Sequence, residues 1–153
     1  MKSFVKLFGI IALTAVIGFS MVACDNDNGG GSGSGGTLTV TGVPSEYTDG
    51  SHYASFTSSP GLFFGYANVT GGMEDGVFTY VRITSSTVAL PVWGYNMMDD
   101  KFVRNSRSEP NETVNLVIYD SDNVPELFRV FTSVNFTNGN ANIAWADGVD
   151  DSY

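Results

Sequence analysis

Apolar and polar residues alternate along much of the chain after residue 36, as expected for strands with one buried and one exposed face. Threonine, valine, phenylalanine and tyrosine dominate these segments, and glycine, asparagine and aspartate separate them, which is the chemistry of strands joined by turns. Three segments have the clearest predicted inward faces: Leu38 and Val40 in "TLTVT" (37–41), Val114, Leu116 and Ile118 in "TVNLVIY" (113–119), and Ala141, Ile143 and Trp145 in "NANIAWA" (140–146).

Five further segments are strand candidates, and a turn signal joins two of the runs. In "VNFTNGNANI" the pair Asn138-Gly139 tolerates the positive φ angles of a tight hairpin turn. Pro91 cannot donate a ladder hydrogen bond, so the strand that contains it is predicted to lie at a sheet edge. The additional candidates are "SHYASFT" (51–57), "LFFGYANV" (62–69), "GVFTYVRIT" (76–84), "TVALPVW" (87–93) and "FRVFTSVNF" (128–136).

About eight short strands and no convincing amphipathic helix after residue 36 predict an all-β domain. The expected architecture is an antiparallel β-sandwich of immunoglobulin-like or transthyretin-like kind, and a small barrel is the alternative. The stretch from Met97 to Glu112 lacks clear alternation and is interpreted as an exposed connection between strands.

The first 23 residues follow a different pattern. Lys2 and Lys6 precede an uncharged, mostly apolar run from Leu7 to Val22, which is the arrangement of an export signal. A membrane-spanning helix is the competing interpretation, but the run is short for one and no basic cluster follows it.

The end of this signal carries the only cysteine. Met21-Val22-Ala23-Cys24 resembles the lipobox of bacterial lipoprotein precursors. The resemblance implies transfer of diacylglycerol to the Cys24 sulfur, cleavage between Ala23 and Cys24, and acylation of the new N-terminus. Two or more acyl chains hold a protein stably on a bilayer, so the expected partner of Cys24 is the lipid bilayer. A single thiol that is modified in this way also has no disulfide-linked partner.

Composition divides the chain into three parts: a signal peptide (1–23), the lipidated cysteine with a Gly/Ser-rich flexible tether (24–36), and a β-sandwich domain (37–153). Such a tether behaves as a flexible coil. The expected location is the cell envelope, at the outer membrane or cell surface rather than the inner membrane.

Charge excludes one class of partner. The chain has a formal net charge of −9. Removal of residues 1–23 takes away two lysines and no acid, which leaves 5 basic against 16 acidic side chains, a net charge of −11. Such a surface repels nucleic acid.

Among the aromatic residues, Trp93 and Tyr95 are the predicted ligand contacts. Trp93 is out of phase with the apolar face of its strand and stands beside the "GYNMMDD" turn, where it could stack on a sugar ring or anchor a protein contact. Trp145 shares the inward parity of Ile143 and is expected in the core. The remaining aromatic candidates are Phe63, Phe64 and Tyr66.

Catalytic and metal signals are weak. His52 is the only histidine, and no triad signature surrounds it. No cofactor is expected beyond a possible calcium ion, which prefers several loop oxygens. The candidate calcium ligands are Asp120, Asp122, Asp147 and Asp150, although their spacing departs from the EF-hand pattern.

These observations favour a membrane-anchored, non-enzymatic lipoprotein whose β domain binds a protein or glycan, or supports envelope assembly. The alternative function is a cell-envelope hydrolase that uses acidic residues, because carboxylates are the only abundant ionisable groups. Such chemistry needs paired Asp or Glu side chains in a cleft.

Overall fold

The computed structural model describes residues 35–70 and 77–151. The predicted signal peptide, the lipidation at Cys24 and residues 24–34 of the predicted tether therefore lie outside the described residues. Within the two described ranges there is no α-helix. No helix in that part of the chain is long and apolar enough to cross a membrane.

Strands make up most of the described chain, as predicted. Two short 3₁₀ helices, Ser45–Tyr47 and Trp145–Asp147, complete the regular structure. The strands are β1 (Thr37–Thr41), β2 (Tyr53–Ser59), β3 (Phe64–Gly65), β4 (Asn68–Thr70), β5 (Val77–Thr79), β6 (Val81–Arg82), β7 (Thr87–Asn96), β8 (Lys101–Arg104), β9 (Glu109–Tyr119), β10 (Pro125–Phe136), β11 (Ala141–Ala144) and β12 (Val149–Asp151).

Ten of these strands form one curled, mixed sheet, a half-barrel with the order β11-β1-β7-β3-β2-β9-β10-β12. In addition, β6 pairs with β2 and β8 pairs with β7, while β4 and β5 form a separate two-stranded sheet. The all-β class is confirmed. The strand count exceeds the predicted eight, and the sheet is not purely antiparallel because β1 and β11 run parallel.

Alternating apolar residues build the core as the sequence pattern requires. Leu38 and Val40 are fully buried, and Val114, Leu116 and Ile118 are fully buried on β9. The first two belong to the β11-β1-β7 end of the sheet and the last three to its centre, yet all five share one hydrophobic cluster. The remaining predicted inward residues, Ala141, Ile143 and Trp145, are also buried.

The Asn138-Gly139 turn is confirmed, with φ angles of 50° and 78° and a bridge between Thr137 and Asn140. The strands on its two sides nevertheless separate. β10 pairs with β9 and β12, while β11 turns away to lie beside β1. The turn therefore carries the chain from β10, the second strand from one end of the sheet, to β11 at the opposite end.

The prediction that Pro91 marks an edge strand is wrong. β7 pairs with β1 through Thr87–Pro91 and with β3 and β8 through its second half. The next residue, Val92, donates its N–H to Gly36 O at 3.0 Å. Because hydrogen-bonded positions alternate along an antiparallel pair, Pro91 lies at a position where no N–H group is needed to bond to β1. An interior strand can thus accommodate this proline.

The interpretation of Met97–Glu112 as a loop is also wrong. This stretch contains β8 and the first residues of β9. β8 is a four-residue strand whose alternation is too short to detect, and its pairing with β7 stabilises it. Within the stretch, the β7–β8 turn is strongly exposed: Met97 and Met98 are 85% and 95% exposed.

Candidate functional site: an aromatic outer face

Strand register places several aromatic side chains together on the outer face of the sheet. On β7 the alternate residues Val88, Leu90 and Val92 are buried, so Trp93 and Tyr95 project from the opposite face. Both are half-buried. The two residues that the sequence analysis predicted as ligand contacts therefore lie on the same, outward side of an interior strand.

Paired residues of neighbouring strands share a face, and the pairs continue this surface in both directions. Trp93 is opposite Phe64 of β3 and Arg104 of β8. Tyr95 is opposite Phe102. Each of these neighbours is half-buried, so the surface is built from side chains that pack against one another.

Six rings form a continuous aromatic row across this face. Successive ring centroids along the row are 4.2–6.5 Å apart, within the range of favourable aromatic pairs. Packing among half-buried rings desolvates them, and burial raises the pKa of Tyr66 above its usual value, with smaller contributions from two neighbouring tyrosines. In order, the aromatic row comprises Tyr95, Phe102, Phe64, Tyr66, Tyr80 and Tyr119.

An arginine lies near each end of the aromatic row, over a ring that is a register neighbour of the row. Near one end the Arg104 guanidinium is 5.4 Å from the centre of the ring of Trp93, which is opposite Phe64, a cation–π distance. Its Nη2 donates to the backbone oxygens of Gly35 and Gly36 at 3.1 and 2.8 Å. Burial lowers the pKa of this guanidinium from its usual value. The Trp93 indole N–H donates to Tyr66 O at 3.0 Å, which fixes the ring.

At the other end, Arg82 of β6 is opposite Tyr53 of β2, which is opposite Tyr119 of β9. The Arg82 guanidinium is 5.6 Å from the Tyr53 ring centre, and its Nη2 donates to Tyr53 Oη at 3.3 Å. Tyr119 accepts a hydrogen bond from Ser55 Oγ at 3.3 Å. Arg82 is exposed, so its charge faces solvent.

The two arginines of the row differ from the other two arginines of the domain. Arg107 pairs with Glu109, and Arg129 pairs with Asp150. Within residues 35–70 and 77–151, neither Arg82 nor Arg104 forms an ion pair with a carboxylate. Both arginines without a carboxylate partner in the described residues therefore belong to the aromatic face.

His52 lies away from this face and joins two loops. Its Nε2 is 3.1 Å from Glu126 Oε2, and its Nδ1 is 3.1 Å from Ser51 Oγ. The arrangement contains the residue types of a hydrolytic triad, but Ser51 Oγ donates its proton to Asp49 Oδ1 at 2.6 Å. The hydroxyl is thus not directed at the imidazole as a nucleophile requires.

Two of the four predicted calcium ligands make other contacts, and Asp122 and Asp147 are exposed. Asp120 Oδ1 accepts the N–H groups of Asp122 and Val124 at 2.9 and 2.8 Å, which closes the β9–β10 turn. Asp150 pairs with Arg129. Across the described part of the chain, no cluster of three or more His, Cys, Asp or Glu side chains could hold a metal ion.

The other aromatic candidates divide between core and face. Phe63 and Trp145 are buried, as expected for Trp145. Sequence reasoning missed Tyr80, Phe102, Tyr119 and Arg82. One signal was present for Tyr119, since it falls out of phase with the buried residues of "TVNLVIY". The acidic-hydrolase alternative stays a prediction; the only described carboxylate that is buried belongs to Glu112, which accepts the Gly61 N–H at 2.8 Å.

Comparison of the chain with protein-family models, with curated proteins and with solved structures gives no match. The function must therefore be argued from the geometry of the aromatic face and from the N-terminal sequence.

Proposed function

We propose that this protein is a bacterial lipoprotein, anchored through Cys24 to a membrane of the cell envelope, whose β domain binds a ligand without catalysing a reaction. The binding surface is the outer aromatic face, with Trp93 and Tyr95 as contacts. The observation that carries this proposal is the continuous row of half-buried rings, flanked by two arginines that form no ion pair with a carboxylate of the described residues.

Aromatic side chains and arginine are the residues that contribute most to binding surfaces. Here the sheet positions them rigidly: Trp93 is held by the Tyr66 carbonyl, and Tyr80 stacks on Tyr119 with ring centroids 4.2 Å apart. A rigid surface loses little conformational entropy when a ligand binds. The face is therefore preorganised for binding.

We further propose that the curled sheet is packed against itself as a two-layered sandwich. β7 changes partners at its middle, from β1 to β3 and β8, and the inward residues on either side of this change belong to one buried cluster. This arrangement supports an immunoglobulin-like or transthyretin-like packing of the β11-β1-β7 end against the rest of the sheet. It leaves the aromatic face on the outside.

Protease shaving of intact bacteria tests the anchor and its location. The wild-type protein and Cys24→Ser are followed by immunoblot in whole cells and in membrane and soluble fractions. We expect the wild-type protein in the membrane fraction and Cys24→Ser in the soluble fraction, with wild-type signal lost from unbroken cells if the domain faces outward. Retention of Cys24→Ser in the membrane fraction would contradict the lipid anchor.

Crosslinking in intact cells tests the binding surface. We expect a saturable adduct of the full-length protein that disappears with Trp93→Ala and persists with Val149→Ala, because Val149 is an exposed apolar residue on the edge strand β12. Circular dichroism establishes that both variants are folded. Equal adducts from both variants, or no adduct from the wild-type protein, would remove the aromatic face as the binding surface.

A further inference from the structure

We infer that the ligand of the aromatic face is an acidic oligosaccharide, a chain of sugar rings that bears carboxylates. This inference rests on the proposed binding function and specifies the chemistry of the ligand. It combines three features of the face: its half-buried rings, its dimensions and its charge.

The face consists of half-buried rings. Trp93 and Tyr95 are half-buried, and the aromatic row contains none of the exposed large apolar side chains of the described domain, which are Leu62, Met97, Met98, Val124 and Val149. A ligand must therefore lie on the row. Pyranose rings present apolar C–H faces that stack on aromatic rings, and a polar rim that accepts hydrogen bonds from groups such as the Tyr95 hydroxyl.

The dimensions favour an extended chain over a protein surface. Arg104 and Arg82 are separated by two strand spacings across the sheet and by about four residues along it, which is roughly 16 Å between their backbones. A strip of this length and one ring in width, about 7 Å, covers on the order of 100 Å². Stable protein interfaces bury about 800 Å² per partner, so the row is too small to hold a folded protein by itself.

Charge supplies the acidic component. Two sets of residues are paired across neighbouring strands on this face, and neither set contains a carboxylate. They are Arg104, Trp93 and Phe64, and Arg82, Tyr53 and Tyr119. Each guanidinium lies over an aromatic ring without an acidic partner in the described residues. A carboxylate on the ligand would pair with Arg82, whose guanidinium is exposed and can form charge-assisted hydrogen bonds.

The experiment is a fluorescence titration of the full-length protein in neutral detergent with uronic-acid oligosaccharides. The panel contains oligogalacturonate, oligoguluronate, oligomannuronate and hyaluronan fragments, and each is compared with its methyl ester, which keeps the rings and removes the charge. Trp93 is half-buried and the other tryptophan, Trp145, is in the core, so a ligand on the face changes the emission of Trp93.

We expect saturable binding of at least one acidic oligosaccharide and about tenfold weaker binding of its methyl ester. Arg82→Gln should weaken binding about fivefold, as expected for the loss of one charge-assisted contact. Arg107→Gln is the matched control, because it removes the same charge from an exposed arginine that pairs with Glu109; it should leave the affinity unchanged.

Three results would overturn the inference: equal binding of acid and methyl ester, equal effects of Arg82→Gln and Arg107→Gln, or no binding of any panel member at millimolar concentration. The crosslinking experiment separates this failure from failure of the proposed function. A Trp93-dependent protein adduct without oligosaccharide binding would leave the aromatic face as the binding surface and replace the glycan with a protein partner.

Discussion

Gly65 should tolerate no larger side chain, because β3 passes directly over a buried ring. Gly65 is paired with Phe56 of β2 and with Val92 of β7. A Cβ atom at this position would lie 1.9 Å from Phe56 Cδ1 and 2.1 Å from Cε1. Real Cβ contacts essentially never fall below 3.0 Å, so the ring would have to move by at least about 1.1 Å, the difference between these distances.

The ring has little room for such a movement. Phe56 is fully buried and stacks on Phe136 with a centroid separation of 6.5 Å. Overpacking of a filled core costs about 1–3 kcal/mol, and the loss of glycine's freedom in the unfolded chain offsets about 0.4–1 kcal/mol of it. We therefore expect Gly65→Ala to lower the free energy of unfolding by about 1.3 kcal/mol, which corresponds to a Tm lower by about 5 °C for a domain of this size.

Urea and thermal unfolding of the full-length protein, followed by circular dichroism, measure this effect. The matched test is a double-mutant cycle with Phe56→Leu, which removes the ring atoms that meet the new Cβ. The double variant should be more stable than the sum of the two single effects predicts, by about 1 kcal/mol. Strict additivity, or a Gly65→Ala effect below about 0.5 kcal/mol, would refute the steric argument.

Three further predictions concern acidic residues. Glu112→Ala removes the acceptor of the buried Gly61 N–H and should lower the free energy of unfolding in urea by about 1–3 kcal/mol, whereas Glu112→Gln keeps an acceptor and should cost less. Asp120 already accepts hydrogen bonds within its own turn; Tm should be the same in millimolar calcium and in chelator, and a Tm raised by calcium would restore the metal site. Hydrogen bonds from Ser51 lower the pKa of Asp49, so the stability that this carboxylate contributes is present above its unfolded pKa of about 3.9 and is lost as pH falls through the lower folded value. Guanidinium unfolding between about pH 2 and 6 should show a shallower acid loss for Asp49→Asn, and identical slopes would contradict this assignment.

Sequence alternation predicted the individual strands better than their arrangement. "TVNLVIY" has Val114, Leu116 and Ile118 in strict alternation, and all three are buried on β9. Alternation reports which face of a strand is inside, but it does not report the neighbour of that strand. The parallel pairing of β1 with β11 and the interior position of Pro91 both depend on long-range partners, and no local pattern could have supplied them.

The aromatic face could be predicted only in part for the same reason. Trp93 and Tyr95 were identifiable because they fall out of phase with a clear apolar pattern within one strand. Phe102 belongs to the four-residue β8, where phase has no meaning without the partner strand. Arg82 reaches the face through its pairing with Tyr53, so its role appears only when the register is known.

The parallel pair of β1 and β11 also determines when this domain can complete its structure. Thr37 donates its N–H to Asn140 Oδ1 at 3.0 Å, a contact that spans 103 residues. Contacts of such high order form slowly, because the entropy of closing the intervening loop is lost before the contact is gained. β1 is therefore paired on both sides only after β11, the second strand from the end of the chain order, has formed.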